Sequence, residues 1–310
     1  MTAIETRLGE RGTGTLLALT AALMWGSQFP VAKSLYRTLD PYTLTAVRYL
    51  IATLGFAALL ALVEGRGMLA FDGHLLRATA LGILGIGGGV LLVYIGLQHT
   101  QATSASLVLA TQPLLMALVL RVRAGVRISG TTLGAMAAAI AGVLLVITHG
   151  SPSTLWNGGV GWGIALVLAG QVGWVAYTIE AGSFAGWSPL RYTALTAVPA
   201  TLLVLALLGL ADAAGWARPS EHAVSASPWL LLYAIVGPAL IAVLAWNTGR
   251  VRLGAQNIAL FQNVVPITTF AITIVQGYRP AVVESLGALL TIAALVTHNL
   301  LKRRARLAAA

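Results

Sequence analysis

Residues 12–33 read GTGTLLALTAALMWGSQFPVAK, and residues 161–182 read GWGIALVLAGQVGWVAYTIEAG. Each opens on two glycines one residue apart, continues apolar for a helical span, and reaches a tryptophan at the same depth. Gly12, Gly14 and Trp25 align with Gly161, Gly163 and Trp174. The same offset recurs downstream. Pro41, Thr45, Ala46, Ala52, Thr53 and Leu54 align with Pro189, Thr193, Ala194, Ala200, Thr201 and Leu202, and Ala102, Pro113, Leu133, Gly134 and Ala135 align with Ala255, Pro266, Leu286, Gly287 and Ala288. Matches in three separate segment pairs at nearly one offset mark an internal repeat, with one unit over 1–150 and the other over 151–310.

The chain is 58% hydrophobic and only 9% charged, against about 25% charged residues in a soluble domain. Its apolar runs are continuous and do not alternate, which favours spanning helices over a membrane barrel. At about 20 apolar residues per span, cuts at Gly, Pro and polar breaks give ten: Gly14–Tyr36, Pro41–Val63, Leu75–Gln98, Ala102–Leu120, Ser129–Thr148, Gly159–Glu180, Pro189–Leu210, Pro228–Arg250, Ala255–Gln276 and Pro280–Leu300. Five spans per unit is an odd number, so the second unit enters the bilayer from the opposite side. The expected fold is all-α, with ten transmembrane helices as two inverted five-helix repeats. Folds of that kind hold a site between the halves near the midplane. The first helix follows Arg7 and Arg11 without a small-residue cleavage site and reads as an uncleaved span.

The net charge of +10 is a topology signal. With the N-terminus inside, the inside segments hold Arg7, Arg11, Arg66, Arg77, Arg121, Arg123, Arg127, Arg191, Arg250, Arg252, Lys302, Arg303, Arg304 and Arg306. The outside segments hold Lys33, Arg37, Arg218 and Arg279. Fourteen against four places both termini in the cytoplasm of a bacterial inner membrane protein. Membrane lipid is the partner these charges suit. Nothing resembles a nucleic-acid surface, because no basic face is interleaved with stacking aromatics.

At Trp25-Gly26-Ser27, Phe29 and Lys33, the chain resembles the drug/metabolite transporter superfamily, in its ten-helix family of paired EamA repeats. Arg48 stands where the second helix of that family usually has an arginine, and Ala102 to Pro113 resembles its fourth helix. The resemblance covers essentially the whole chain and implies a membrane exporter. Trp246-Asn247 is shared with some amino-acid exporters of the superfamily. The second half departs from the first-helix motif in lacking a lysine after Trp174.

Polar side chains in hydrocarbon need a partner, a wet cavity or a function. Gln28 lies on the same helix face as Trp25, and Trp174 and Tyr177 are their counterparts, with Gln171 one turn before. Trp25, Gln28, Trp174 and Tyr177 either line a central cavity or hold helices together. Thr111-Gln112 before Pro113, and Gln262-Asn263 before Pro266, place amides and freed carbonyls at membrane depth, with the prolines as kinks or hinges. Tyr94, Trp246 and Asn247 belong either to the cavity wall or to an interfacial belt. Arg48 sits roughly 10 Å into its helix at 1.5 Å per residue. It either snorkels outward or faces the cavity and holds a carboxylate. Lys33 reads first as an anchor near the outer edge and second as a charge partner. His99, His149 and His298 lie at span ends.

No span has a central Asp or Glu, which disfavours proton coupling through one buried carboxylate. No cluster of buried Lys and Arg is available for a phosphorylated substrate. A neutral or zwitterionic metabolite remains, amino acids first and nucleosides or drugs second. A passive neutral-solute pore is the reading from another class. No nucleophile–base pair or H-E-x-x-H motif points to an enzyme. There are no cysteines, and no metal or cofactor is expected. The cluster Gly85, Gly87, Gly88 and Gly89, together with Gly130, Gly134 and Gly142, reads as helix packing.

Overall fold

The computed structural model describes residues 3–125, 127–155, 160–218 and 226–308, and only the backbone at 3–8, 124, 155, 160, 298–300 and 302–308. The described residues form ten main helices in chain order, with short 3₁₀ turns at Arg66–Leu69, Pro152–Leu155 and Ala181–Ser183. The first five are α1 (Ala3–Leu35), α2 (Pro41–Val63), α3 (Leu75–Gln98), α4 (Ala102–Ala110 and Gln112–Ala124) and α5 (Gly130–Thr148). The second five are α6 (Val160–Glu180), α7 (Pro189–Ala213), α8 (Pro228–Leu253), α9 (Ala255–Val275) and α10 (Val282–Ala308). Among the described residues eight helices are long and apolar enough to cross a membrane, and nine when the bent pair in α4 is one span. The apolar part of α10 is the shorter stretch Val282–Thr297. Large apolar side chains such as Leu54, Leu62, Leu202 and Leu289 cover the outside, where a soluble protein would carry charge. The chain is a multi-pass integral membrane protein.

Equivalent positions in the two repeats make equivalent local structure. Asp40 caps α2 by accepting from Thr43 N at 2.8 Å, and Ser188 caps α7 by accepting from Arg191 N at 2.9 Å; a proline follows each cap. That is the favoured start of a helix, because the side chain satisfies a free N–H and proline has none to lose. One stretch of π-helix interrupts α3 at Gly82–Gly87, and another interrupts α8 at Ile235–Ile241.

Helix packing repeats the same symmetry. α1 packs on α8 and α9, while α6 packs on α3 and α4; α2 meets α7, α4 meets α9, and α5 meets α10. Moving five helices along maps each contact onto itself or its partner, as a pseudo-twofold axis requires. On that axis the hydroxyls of Thr53 and Thr201, equivalent residues, lie 2.7 Å apart. Glycine permits the closest approaches. A Cβ on Gly96 would come within 2.4 Å of the Gly163 carbonyl, and one on Gly249 within 3.2 Å of the Gly14 carbonyl. Gly85, Gly87 and Gly89 press on α6 or α7, and Gly88 presses on its own helix, as their reading for packing requires. Gly142 lies against Gly287 and Thr291, whereas a Cβ on Gly130 or Gly134 would meet nothing within 4 Å. Those two glycines therefore pack no helix, although their spacing fits a packing motif.

Candidate functional site

A central cavity of about 50 Å³ lies between the halves. The first half contributes Trp25, Gln28, Arg48, Tyr49, Gly89, Val90, Val93, Tyr94 and Leu109, and the second Gly170, Gln171, Trp174, Pro238, Val243 and Gln262. Trp25 and Trp174 touch edge to face at 5.2 Å, and the Trp246 ring lies 5.0 Å from Trp25. Trp25 donates its Nε1–H to the Pro238 carbonyl at 3.1 Å. The equivalent Nε1 of Trp174 is buried with no hydrogen-bond partner among the described residues.

Two networks flank the cavity at symmetry-related positions. In the first repeat, Gln28 Oε1 accepts from Tyr94 OH at 3.1 Å and from Arg48 Nη2 at 3.4 Å. In the second, Tyr177 OH accepts from Asn247 Nδ2 at 2.8 Å and from Thr196 Oγ1 at 3.4 Å. Asn247 also donates to Thr193 Oγ1 at 2.8 Å. The counterparts are Gln28 and Tyr177, Arg48 and Thr196, Tyr94 and Asn247. One repeat carries a charge where the other carries a hydroxyl.

Arg48 is 1% exposed, so it does not snorkel to the surface. Its Nε donates to the Ala234 carbonyl at 3.0 Å. Pro238, one turn on, has no N–H to offer that carbonyl. The guanidinium lies 4.6 Å over the Tyr94 ring, a cation–π contact worth about 0.5–2 kcal/mol. Its Nη1 has no hydrogen-bond partner among the described residues.

Of the other residues singled out by sequence, Gln262 lines the cavity with an unpartnered Oε1. Tyr177, Trp246 and Asn247 pack behind the wall, fully buried, and Trp246 Nε1 faces Thr178 Oγ1 at 3.4 Å. The interfacial-belt alternative for Tyr94, Trp246 and Asn247 therefore does not hold. Gln112 reaches the cavity through Gln171, whose Nε2 donates to Gln112 Oε1 at 3.1 Å. Thr111 turns its hydroxyl onto its own helix, to Val108 O at 2.7 Å. Asn263 is buried outside the cavity lining with its Oδ1 unpartnered. The bend in α4 is 45° and falls at Thr111, just ahead of Pro113. In α9 a 3₁₀ turn over Ala259–Asn263 precedes Pro266.

Lys33 is set apart from the central cavity. It lines a vestibule of about 490 Å³ with Arg37, Gln101, Thr103, Gln276 and Tyr278. At its rim, Tyr278 donates to Glu284 Oε1 at 2.5 Å, and His149 Nδ1 lies 3.1 Å from the same carboxylate. Burial, with Glu284 alongside, pushes the Tyr278 phenol above its ordinary value. Glu284 is 2% exposed although it lies near a span end. His99 lines an adjoining pocket with His149. The side chain of His298 lies outside the described residues.

At the opposite end the path is filled. Ring contacts run without a break from Trp174 through Tyr177, Tyr192 and Phe184 to Trp187 and His74. Beyond them Glu180 pairs with Arg77 at 2.6 Å and with Arg123, and Arg191 pairs with Asp72 at 2.5 Å. Sequence reasoning named Trp174 and Tyr177 but missed Tyr192, Phe184, Trp187 and His74, which come from loops and the start of a helix and share no periodicity with them.

Comparison with known proteins adds a lineage. The model of the EamA-like transporter family matches twice, over residues 12–148 and 161–300. The uncharacterized transporter YrdR of Bacillus subtilis strain 168 is 30% identical over 301 residues, covering 96% of this chain and 94% of its own. The uncharacterized transporter YyaM of the same strain is 26% identical, covering 92% of each chain. A solved crystal structure aligns over 95% of this chain and 99% of its own, at 25% identity and a TM-score of 0.70.

Proposed function

The chain belongs to the EamA-like transporter family of the drug/metabolite transporter superfamily, and from that membership we propose that it exports small neutral or zwitterionic metabolites, amino acids first, by alternating access. The observation that carries the reading is the cavity itself. It lies between the repeats, draws its wall from both, and combines aromatic faces with amides and one buried cation. A pocket built this way suits a small molecule with an apolar body and a few polar groups.

Its size fits a closed stage of a cycle. A volume of about 50 Å³ holds a few waters, so a metabolite is admitted only when the helices part. The vestibule with Lys33 faces one side, and the aromatic column closes the other. In the orientation given by the basic residues, the vestibule opens outside and the column closes the cytoplasmic side. This is the arrangement of an inner-membrane carrier with both termini in the cytoplasm.

Uptake by proteoliposomes carrying the full chain tests the proposal, using a panel of labelled amino acids, nucleosides and cationic drugs. Saturable flux of at least one amino acid is expected. Flux confined to nucleosides or drugs would replace the substrate class. Flux that rises linearly with concentration would replace the carrier with a pore.

A further inference from the structure

We propose that the central cavity reads a zwitterion pole by pole: Arg48 holds a carboxylate, and Gln262 Oε1 accepts from an amino group. This rests on the reading of the cavity as the transport site, and narrows it to molecules bearing one carboxylate and one amine.

The first ground is an unbalanced charge. Removing an ion from water costs several kcal/mol even after the surroundings relax. Arg48 is buried, yet among the described residues it joins no ion pair, and its Nη1 is unpartnered. Two neutral acceptors and the rings of Tyr94 and Tyr49 are its partners. Asp40, on the same helix, is engaged in capping: it accepts from Thr43 N at 2.8 Å and from Thr43 Oγ1 at 2.6 Å. The free edge of a guanidinium fits a carboxylate, with charge-assisted bonds roughly twice as strong as neutral ones.

The second ground is that the fold does not require this charge. The equivalent site holds Thr196, which closes a neutral network with Tyr177. The second repeat does bury Arg191, but pairs it with Asp72; an unpaired arginine at this position, where the other repeat has a threonine, therefore answers to a ligand better than to architecture.

The third ground is polarity across the cavity. Gln262, 1% exposed, contributes an acceptor with no donor, while Arg48 Nη1 and Trp174 Nε1 are donors with no acceptor. Apart from the phenols of Tyr49 and Tyr94, Arg48 is the one ionisable group among the described lining residues. A simple cation would meet its like charge, and a dicarboxylate would leave its second charge unpaired.

The experiment measures ligand-induced thermal stabilisation of the full-length purified chain. The probes are the protein amino acids, each beside its carboxamide, its decarboxylated amine and its deaminated acid. At least one amino acid is expected to stabilise, with affinity about 10- to 100-fold above its carboxamide and amine. Arg48→Gln should abolish that preference. Gln262→Leu should weaken the amino acid while leaving the deaminated acid unchanged. Equal binding of amino acid and carboxamide by the unmutated chain would overturn the pole assignment and leave the transport reading standing, even if Arg48→Gln fails to fold. Equal binding of amino acid and deaminated acid would overturn the amino pole. No amino acid stabilising the chain, with none carried by proteoliposomes, would overturn both.

Discussion

The indole rings of Trp25 and Trp174 meet edge to face, their centroids 5.2 Å apart and their planes at 86°. They are the same residue of the two repeats, so their contact marks the pseudo-twofold axis at the cavity. Their ring nitrogens differ: one is bonded to Pro238 O, and the other is unpartnered. Trp25→Phe should therefore lower stability by about 1 kcal/mol, through loss of a buried hydrogen bond. Trp174→Phe should leave stability nearly unchanged and raise the KM for substrate. Thermal melting beside initial-rate transport separates the two; a matched effect of both variants on both readouts would contradict it.

The amides behind the wall act on transport through their neighbours. Gln112→Ala removes the acceptor of Gln171 Nε2, an interhelical bond worth about 0.6 kcal/mol on average in a membrane. The variant should insert and melt almost normally while transport weakens, because Gln171 loses its fixed orientation in the cavity wall. Asn263→Ala, at a residue whose Oδ1 has no partner among the described residues, should also weaken transport without unfolding the chain. Unfolding of either variant would assign these residues to architecture alone.

Glycines with and without close neighbours should part company. Alanine at Gly170 brings its Cβ within 2.2 Å of the Gly89 carbonyl and forces α3 away from α6, at about 1–3 kcal/mol. Alanine at Gly134 meets nothing and should stabilise by up to about 1 kcal/mol through helix propensity. Melting temperatures of the two variants check the sign of each.

The acids should be dispensable for flux taken one at a time. Glu180 ties Arg77 and Arg123 at the closed end, Asp40 caps α2, and Glu284 serves the vestibule rim. None lines the central cavity. Glu180→Gln, Asp40→Asn and Glu284→Gln should each retain substantial flux at pH 7. Glu284→Gln should cost the most stability, since its carboxylate is buried among Tyr278, His149 and the Ala281 N–H. A normally inserted variant with no flux would identify its acid as the coupling group.

The spans and the repeat were legible because hydropathy and residue identity carry them directly. Trp25, Gln28 and Trp174 were legible at the cavity for the same reason: two copies of one helix must approach a common axis. Arg48 was ambiguous, since depth along a helix does not tell which face a residue takes; the Ala234 carbonyl and the Tyr94 ring settle that it points inward. Gln112 falls behind the lining just after the bend of α4 at Thr111, and Asn263 lies at the end of the 3₁₀ turn in α9, whose residues take other faces than a regular helix would give them. The burial of Glu284 was hidden because its partners Tyr278 and His149 come from the ends of other helices.

The proposed orientation rests on fourteen basic residues in the inside segments against four in the outside ones. A cysteine at Ser153, in this cysteine-free chain, should label with impermeant maleimide from outside the cell. Labelling from the cytoplasmic side alone would invert the topology and reverse the direction assigned to the vestibule.

The most direct measurement is substrate protection at the cavity wall. Val90→Cys places a single thiol among the lining residues, and Leu62→Cys places one on the 84% exposed outer surface of α2. Alkylation of each is followed in proteoliposomes with increasing concentrations of a transported amino acid. The cavity as transport site predicts saturable protection of the thiol at position 90, with half-effect near the transport KM, and none at position 62. Undiminished alkylation at position 90 under saturating substrate, in a variant that still transports, would contradict it.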